Sequence, residues 1–171
     1  LGVSLGYHYE EKGRWNVHFD NYETSEMGPG GRDFAMAEEV VAFYHGDPNV
    51  ITATTYTWGR GWIDQHRTFA QAFLALPDMP GRIIEEAVPE HPADVRVRMY
   101  DPQDGTVFLS VVSKAMAPLS FEVKVPLDDV VQIIDLVSGQ DVAFTQQGRS
   151  LRFDIDSPPM SLHSFVIRMK E

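Results

Sequence analysis

Two rhythms of apolar positions divide the chain. In the first half, residues 2–9 and 15–22 are rich in β-branched and aromatic side chains and read as strands. Gly28-Pro29-Gly30-Gly31 is a turn cluster. Over residues 33–44, Phe34, Ala37, Val40, Val41 and Tyr44 recur at helical spacing and leave Glu38 and Glu39 for the wet side. Gly46-Asp47-Pro48 stops that helix. Residues 50–58 form the clearest strand of this half, crowded with β-branched side chains. A second helix runs over 63–76, with Ile63, His66, Phe69, Ala70, Phe73 and Leu74 on one face and Pro77 at its end. Strand, loop, helix, strand, loop, helix is the order of βαβ units and a parallel sheet. Residues 77–93, with four Pro and no period, read as a linker.

The second half changes rhythm. Short strands are expected over 95–100, 106–112, 119–125, 130–136, 150–155 and 164–169. Several alternate strictly: Phe121, Val123 and Val125 point one way, and Ser120, Glu122 and Lys124 the other. Asp104-Gly105 and Ser138-Gly139 are hairpin-type turns. The expected fold is therefore α/β plus all-β. Residues 1–86 form the α/β part, and residues 87–171 form an antiparallel β-sandwich.

Composition narrows the function. The chain has 171 residues, 14 Lys+Arg against 25 Asp+Glu, and no Cys, which excludes disulfides and Cys-based zinc sites. A net charge of −11 argues against a duplex nucleic-acid binder, which needs a basic face for phosphates. No apolar run approaches the roughly 18 residues of a membrane span. The chain opens at Leu1 already in strand-like sequence, as expected of a piece of a longer protein. Gly28–Gly31 is not followed by Lys-Ser/Thr, so a P-loop is excluded. His8, His18, Asp20 and Glu23 lack any metal-binding spacing, and no metal or cofactor is expected. His163 and Ser164 with any Asp make no recognisable triad order, and His66 is read as a core residue.

The chemistry-bearing stretch is Tyr22-Glu23-Thr24-Ser25-Glu26-Met27-Gly28. Two carboxylates sit where a strand gives way to a Gly-rich turn before a helix. In (β/α) architectures the C-terminal ends of strands form the active face, and a carboxylate there can act as nucleophile or general base. Trp58 ends the next strand, 32 residues after Glu26, about one α/β period later. Successive strand ends would present a carboxylate and an indole to the same face. All three Trp (Trp15, Trp58, Trp62) precede residue 87, as do five of the six Tyr.

Ser25-Glu26-Met27-Gly28 resembles the strand end carrying the nucleophile in retaining glycoside hydrolases with a (β/α)8 barrel. Tyr56-Thr57-Trp58 is similar to the strand-eight end of that clan, and Gly6-Tyr7-His8-Tyr9 to its strand-six "HxY". The trailing sandwich, with its Pro158–Phe165 run, resembles the sandwich appended to many such barrels. Within the clan the resemblance leans toward agarase- and porphyranase-like enzymes acting on marine galactans. It implies a secreted, cofactor-free glycosidase of which this chain is the C-terminal part: the last strands of the barrel, then the sandwich. Glu26 would be the nucleophile, with Trp58, Tyr9, His8, Tyr22, Glu23, Arg60 and Trp62 binding a carbohydrate substrate.

Two departures accompany the resemblance. From His8 to Glu26 is only 18 residues, too few for two strands and a crossover helix. Either residues are missing near 11–14, or residues 2–22 form a hairpin turning at Lys12-Gly13, which removes His8 from its strand. The acid/base carboxyl of the clan ends strand four, which would lie on a barrel segment N-terminal to Leu1. A different class of function is a non-catalytic carbohydrate-binding or scaffold protein that holds glycan on exposed aromatic rings. A third is a globular protein whose carboxylates are all surface groups.

Overall fold

The computed structural model describes residues 6–10, 14–18, 36–48, 63–102 and 105–170. The elements run β1 (Gly6–Glu10), β2 (Arg14–His18), α1 (Ala37–His45), α2 (Ile63–Leu74), β3 (Arg82–Ile83), β4 (Val95–Tyr100) and β5 (Thr106–Ser113). They continue with β6 (Leu119–Val125), β7 (Val130–Asp135), β8 (Thr145–Gln147), β9 (Ser150–Ser157) and β10 (Ser161–Met169). Every pairing among the described strands is antiparallel.

Two sheets dominate, a five-stranded one in the order β3-β4-β5-β10-β7 and a three-stranded one in the order β6-β9-β8. They share one apolar core. Val97, Leu109, Val111, Ile133, Phe165 and Ile167 contribute from the first sheet; Phe121, Val123, Val125, Leu151, Phe153 and Ile155 contribute from the second. The alternation expected in 119–125 is present, with Ser120 exposed, Glu122 and Lys124 half-buried, and Phe121, Val123 and Val125 buried. Gly105 and Gly139 adopt positive φ (85° and 70°) after β4 and β7, as the hairpin-type turns require.

The five-stranded sheet is covered on its other face as well. Helices α1 and α2 lie against it and form a second apolar cluster: Val40, Phe43 and Tyr44 from α1, Phe69 and Ala72 from α2, and Val112 and Leu162 from β5 and β10. Burial on both faces explains why β5 is buried continuously from Leu109 to Ser113 instead of alternating.

Several expectations change. Residues 77–93 are not a bare linker: Arg82–Ile83 pairs with β4, and Ile84, Ala87 and Val88 are buried in the main core. Lys124 N–H donates to the Ala87 carbonyl at 2.8 Å, so this stretch also covers part of the β6 edge. The inward stripe of α2 is Phe69, Ala72 and Phe73, and Leu76, just past the helix end, packs against the same cluster. Leu74 falls off that stripe and is 77% exposed, and His66 is half-buried rather than core. Strand β8 carries no apolar signal, being Thr-Gln-Gln, and exists because it pairs with β9. Strand β10 starts three residues earlier than expected, since Ser161 and Leu162 pair with Ser113 and Val112.

β1 and β2 pair antiparallel, with Gly6 opposite His18 and Glu10 opposite Arg14. That is the hairpin alternative, and it takes His8 and Tyr9 away from a strand-six position in a parallel barrel. The expected strand over 50–58 lies outside the described residues.

Gly81 shows how tightly the helix-to-sheet connection is packed. Its N–H donates to Asp47 Oδ2 at 2.6 Å, and a Cβ there would lie 2.5 Å from Cε1 of Tyr100. Tyr100 is 2% exposed and its hydroxyl donates to Asp47 Oδ1 at 2.9 Å, so the ring cannot swing aside without losing that bond. Gly81→Ala should therefore destabilise the chain by about 1–3 kcal/mol. A urea midpoint unchanged from the parent would contradict this packing.

Candidate functional site

Of the residues that the sequence marks for a sugar site, only His8 and Tyr9 fall within a described strand, β1. Tyr22, Glu23, Glu26, Trp58, Arg60 and Trp62 lie outside the described residues. The structure does define the frame on either side of them. Residues 49–62 connect two helices that are both seated on the five-stranded sheet, and residues 19–35 connect β2 to α1.

The C-terminal end of α1 is fixed by cations from β4. The last carbonyls of a helix lack intrahelical donors and carry the negative end of its dipole. Arg98 Nη1 donates to the Phe43 carbonyl at 2.7 Å, and its Nη2 to the Tyr44 carbonyl at 3.1 Å. Arg96 Nη1 also donates to the Tyr44 carbonyl, at 2.6 Å. Arg98 is 2% exposed, and burial holds its guanidinium below the usual value, though still charged. The Arg96 guanidinium lies 4.3 Å from the Tyr44 ring centre and Lys114 Nζ 4.9 Å from it. Tyr44 Oη donates to the Ala93 carbonyl at 2.9 Å. Nothing in the alternating Val-Arg-Val-Arg of β4 distinguishes a buried helix clamp from a solvated strand face.

The Glu39 carboxyl is in an unusual state. Expected on the wet side of its helix, it is instead 5% exposed, and burial raises its pKa from 4.5 to about 7. The folded form therefore favours the proton, and this contribution to stability is complete below pH 4.5 and lost as pH rises through 7. At about 1.36 kcal/mol per pH unit the difference is roughly 3 kcal/mol. Glu39→Gln should stabilise the protein at pH 8 and leave it nearly unchanged at pH 4, read as melting temperature against pH. Equal effects at both pH values would show that the burial does not govern this carboxyl. His163 has the opposite sign. Burial lowers its pKa, so its contribution is present above about pH 6.5 and falls away on acidification.

His163 Nε2 lies 3.2 Å from Ser157 Oγ and 3.3 Å from Ser161 Oγ, and the two hydroxyls are 2.7 Å apart. Ser161 Oγ also donates to the Pro158 carbonyl at 2.9 Å. The cluster ties the turn between β9 and β10 shut. Ser164, on the opposite side of β10, is fully buried with no partner for its hydroxyl among the described residues. His163 and Ser164 therefore do not meet, as the lack of a triad pattern implies.

Between α2 and the same turn lies a cleft of about 260 Å³, walled by Met36, Phe69, Pro158, Pro159, Met160 and Leu162. Asp64, Gln65, Thr68 and Ser161 form its polar edge. Among the described residues no group of three or more His, Asp or Glu side chains is arranged to hold a metal ion.

No protein-family model matches this chain. No curated protein matches it either. Among solved structures, it is similar to a family 27 β-L-arabinopyranosidase from Geobacillus stearothermophilus, at 10% identity and a TM-score of 0.43 over 54% of this chain and 20% of that one. It is similar to α-galactosidase I from Mortierella vinacea, at 8% identity and a TM-score of 0.40 over 70% of this chain and 31% of that one. A third similarity is to a glycoside hydrolase family 30 subfamily 8 xylanase from Clostridium acetobutylicum, at 16% identity and a TM-score of 0.34 over 44% and 21%. All three are glycoside hydrolases, and this chain spans less than a third of the length of each.

Proposed function

We propose that the chain is the C-terminal part of a retaining glycoside hydrolase, the last strands of a (β/α)8 barrel followed by a β-sandwich. The observation that carries the reading is the order of features along the chain. Ser25-Glu26-Met27-Gly28 ends a strand-like stretch, Trp58 ends the next, and each is followed by a helix, after which all the described strands pair antiparallel. Shared core packing between a five- and a three-stranded sheet supports the sandwich part of this reading.

In this mechanism the Glu26 carboxylate attacks the anomeric carbon. The glycosidic C–O bond breaks as a second carboxyl protonates the leaving oxygen, and a covalent glycosyl-enzyme forms. Water, deprotonated by that second group, then displaces Glu26 and restores the anomeric configuration. The second carboxyl must stand roughly 5–5.5 Å from Glu26 and would come from the barrel segment preceding this one. Trp58 would form the floor of a sugar subsite, with Trp62, Arg60, Glu23 and Tyr22 around it. Tyr22 would hydrogen-bond the nucleophile. Agarase- or porphyranase-like specificity for galactans is the narrower form of the proposal.

The test is trapping. A 2-fluoro glycoside slows both steps, and a good leaving group lets the covalent species accumulate. Incubated with the full-length enzyme and digested, it should add its mass to the peptide containing Glu26. Label on a different carboxylate would overturn the assignment.

A further inference from the structure

We draw no further inference here: the strongest candidate, the cleft of about 260 Å³ between α2 and the turn from β9 to β10, has largely apolar walls, and nothing in the structure shows what covers them.

Discussion

Glu26→Gln in the full-length enzyme should lower kcat on an activated aryl glycoside by about 10⁴-fold, close to 5.4 kcal/mol of barrier at about 1.36 kcal/mol per decade. The amide keeps the size and shape of the carboxylate but removes its nucleophilic oxygen, so folding should be unaffected and the melting temperature should hold. The loss should appear in kcat and kcat/KM together, because the missing bond forms only on the way to the transition state. A second variant separates a nucleophile from a residue that merely shapes the site. In Glu26→Ala, added azide should occupy the vacated space, attack the same carbon and yield a glycosyl azide of inverted configuration. Retention of more than a tenth of the parent activity in Glu26→Gln would refute the role. So would an inactive Glu26→Ala that unfolds at a much lower temperature and gives no azide product.

Arg98→Ala should cost about 3–5 kcal/mol of folding stability, measured by urea denaturation. Two charge-assisted hydrogen bonds disappear, and the Phe43 and Tyr44 carbonyls lose Arg98 as a donor in a place with little access to water. Arg98→Lys should recover less than half of that. An ammonium is a compact point charge and cannot reproduce a planar fork reaching two successive carbonyls. Arg67→Ala is the control. Its partner Asp64 lies 3.6 Å away on an exposed helix face, and the change should stay within about 0.5 kcal/mol. If Arg98→Ala were as mild as Arg67→Ala, the clamp on α1 would be ornamental and Phe43, Tyr44 and Val40 would hold the helix by apolar contact alone.

The antiparallel half was most legible where a strand keeps one face in the core and one toward water, as β6 and β9 do. Phe121, Val123 and Val125 announce β6, and the residues between them confirm it. Legibility failed at two places in this half. Strand β8 has no apolar side chain to betray it and is held by backbone pairing with β9 and by Gln146, whose Oε1 accepts from the Val130 N–H at 3.1 Å. In β10 the first residues, Ser161-Leu162-His163-Ser164, interleave hydroxyls with one leucine, because the strand meets a polar turn on one side and the helices on the other. Glu39 could not be read from its spacing. Helical periodicity sorts residues into faces, but whether a face is dry depends on which neighbours arrive from distant parts of the chain. Leu74 is the mirror case, an apolar residue off the packed stripe. Of the proposed site, the sequence supplies the order of the motifs along the chain; the geometry in which Glu26 and Trp58 would meet is a property of strands whose pairing no local pattern records.

Coverage of the five-stranded sheet from both sides bears on how such a protein could be recombined. A sheet with one watery face can be cut out and joined to something else as a self-sufficient cassette. This one cannot, because Val112, Leu162 and Tyr100 face the helix layer and are buried there, and Arg98 spends its donors on the end of α1. A hybrid joining these strands to a foreign helix pair would need matching partners at each of those points, and an Asp47 equivalent to receive Tyr100 and Gly81. These contacts bind α1, α2 and the two sheets into one packed unit, so an exchange that kept only the sheets would strip all of them at once.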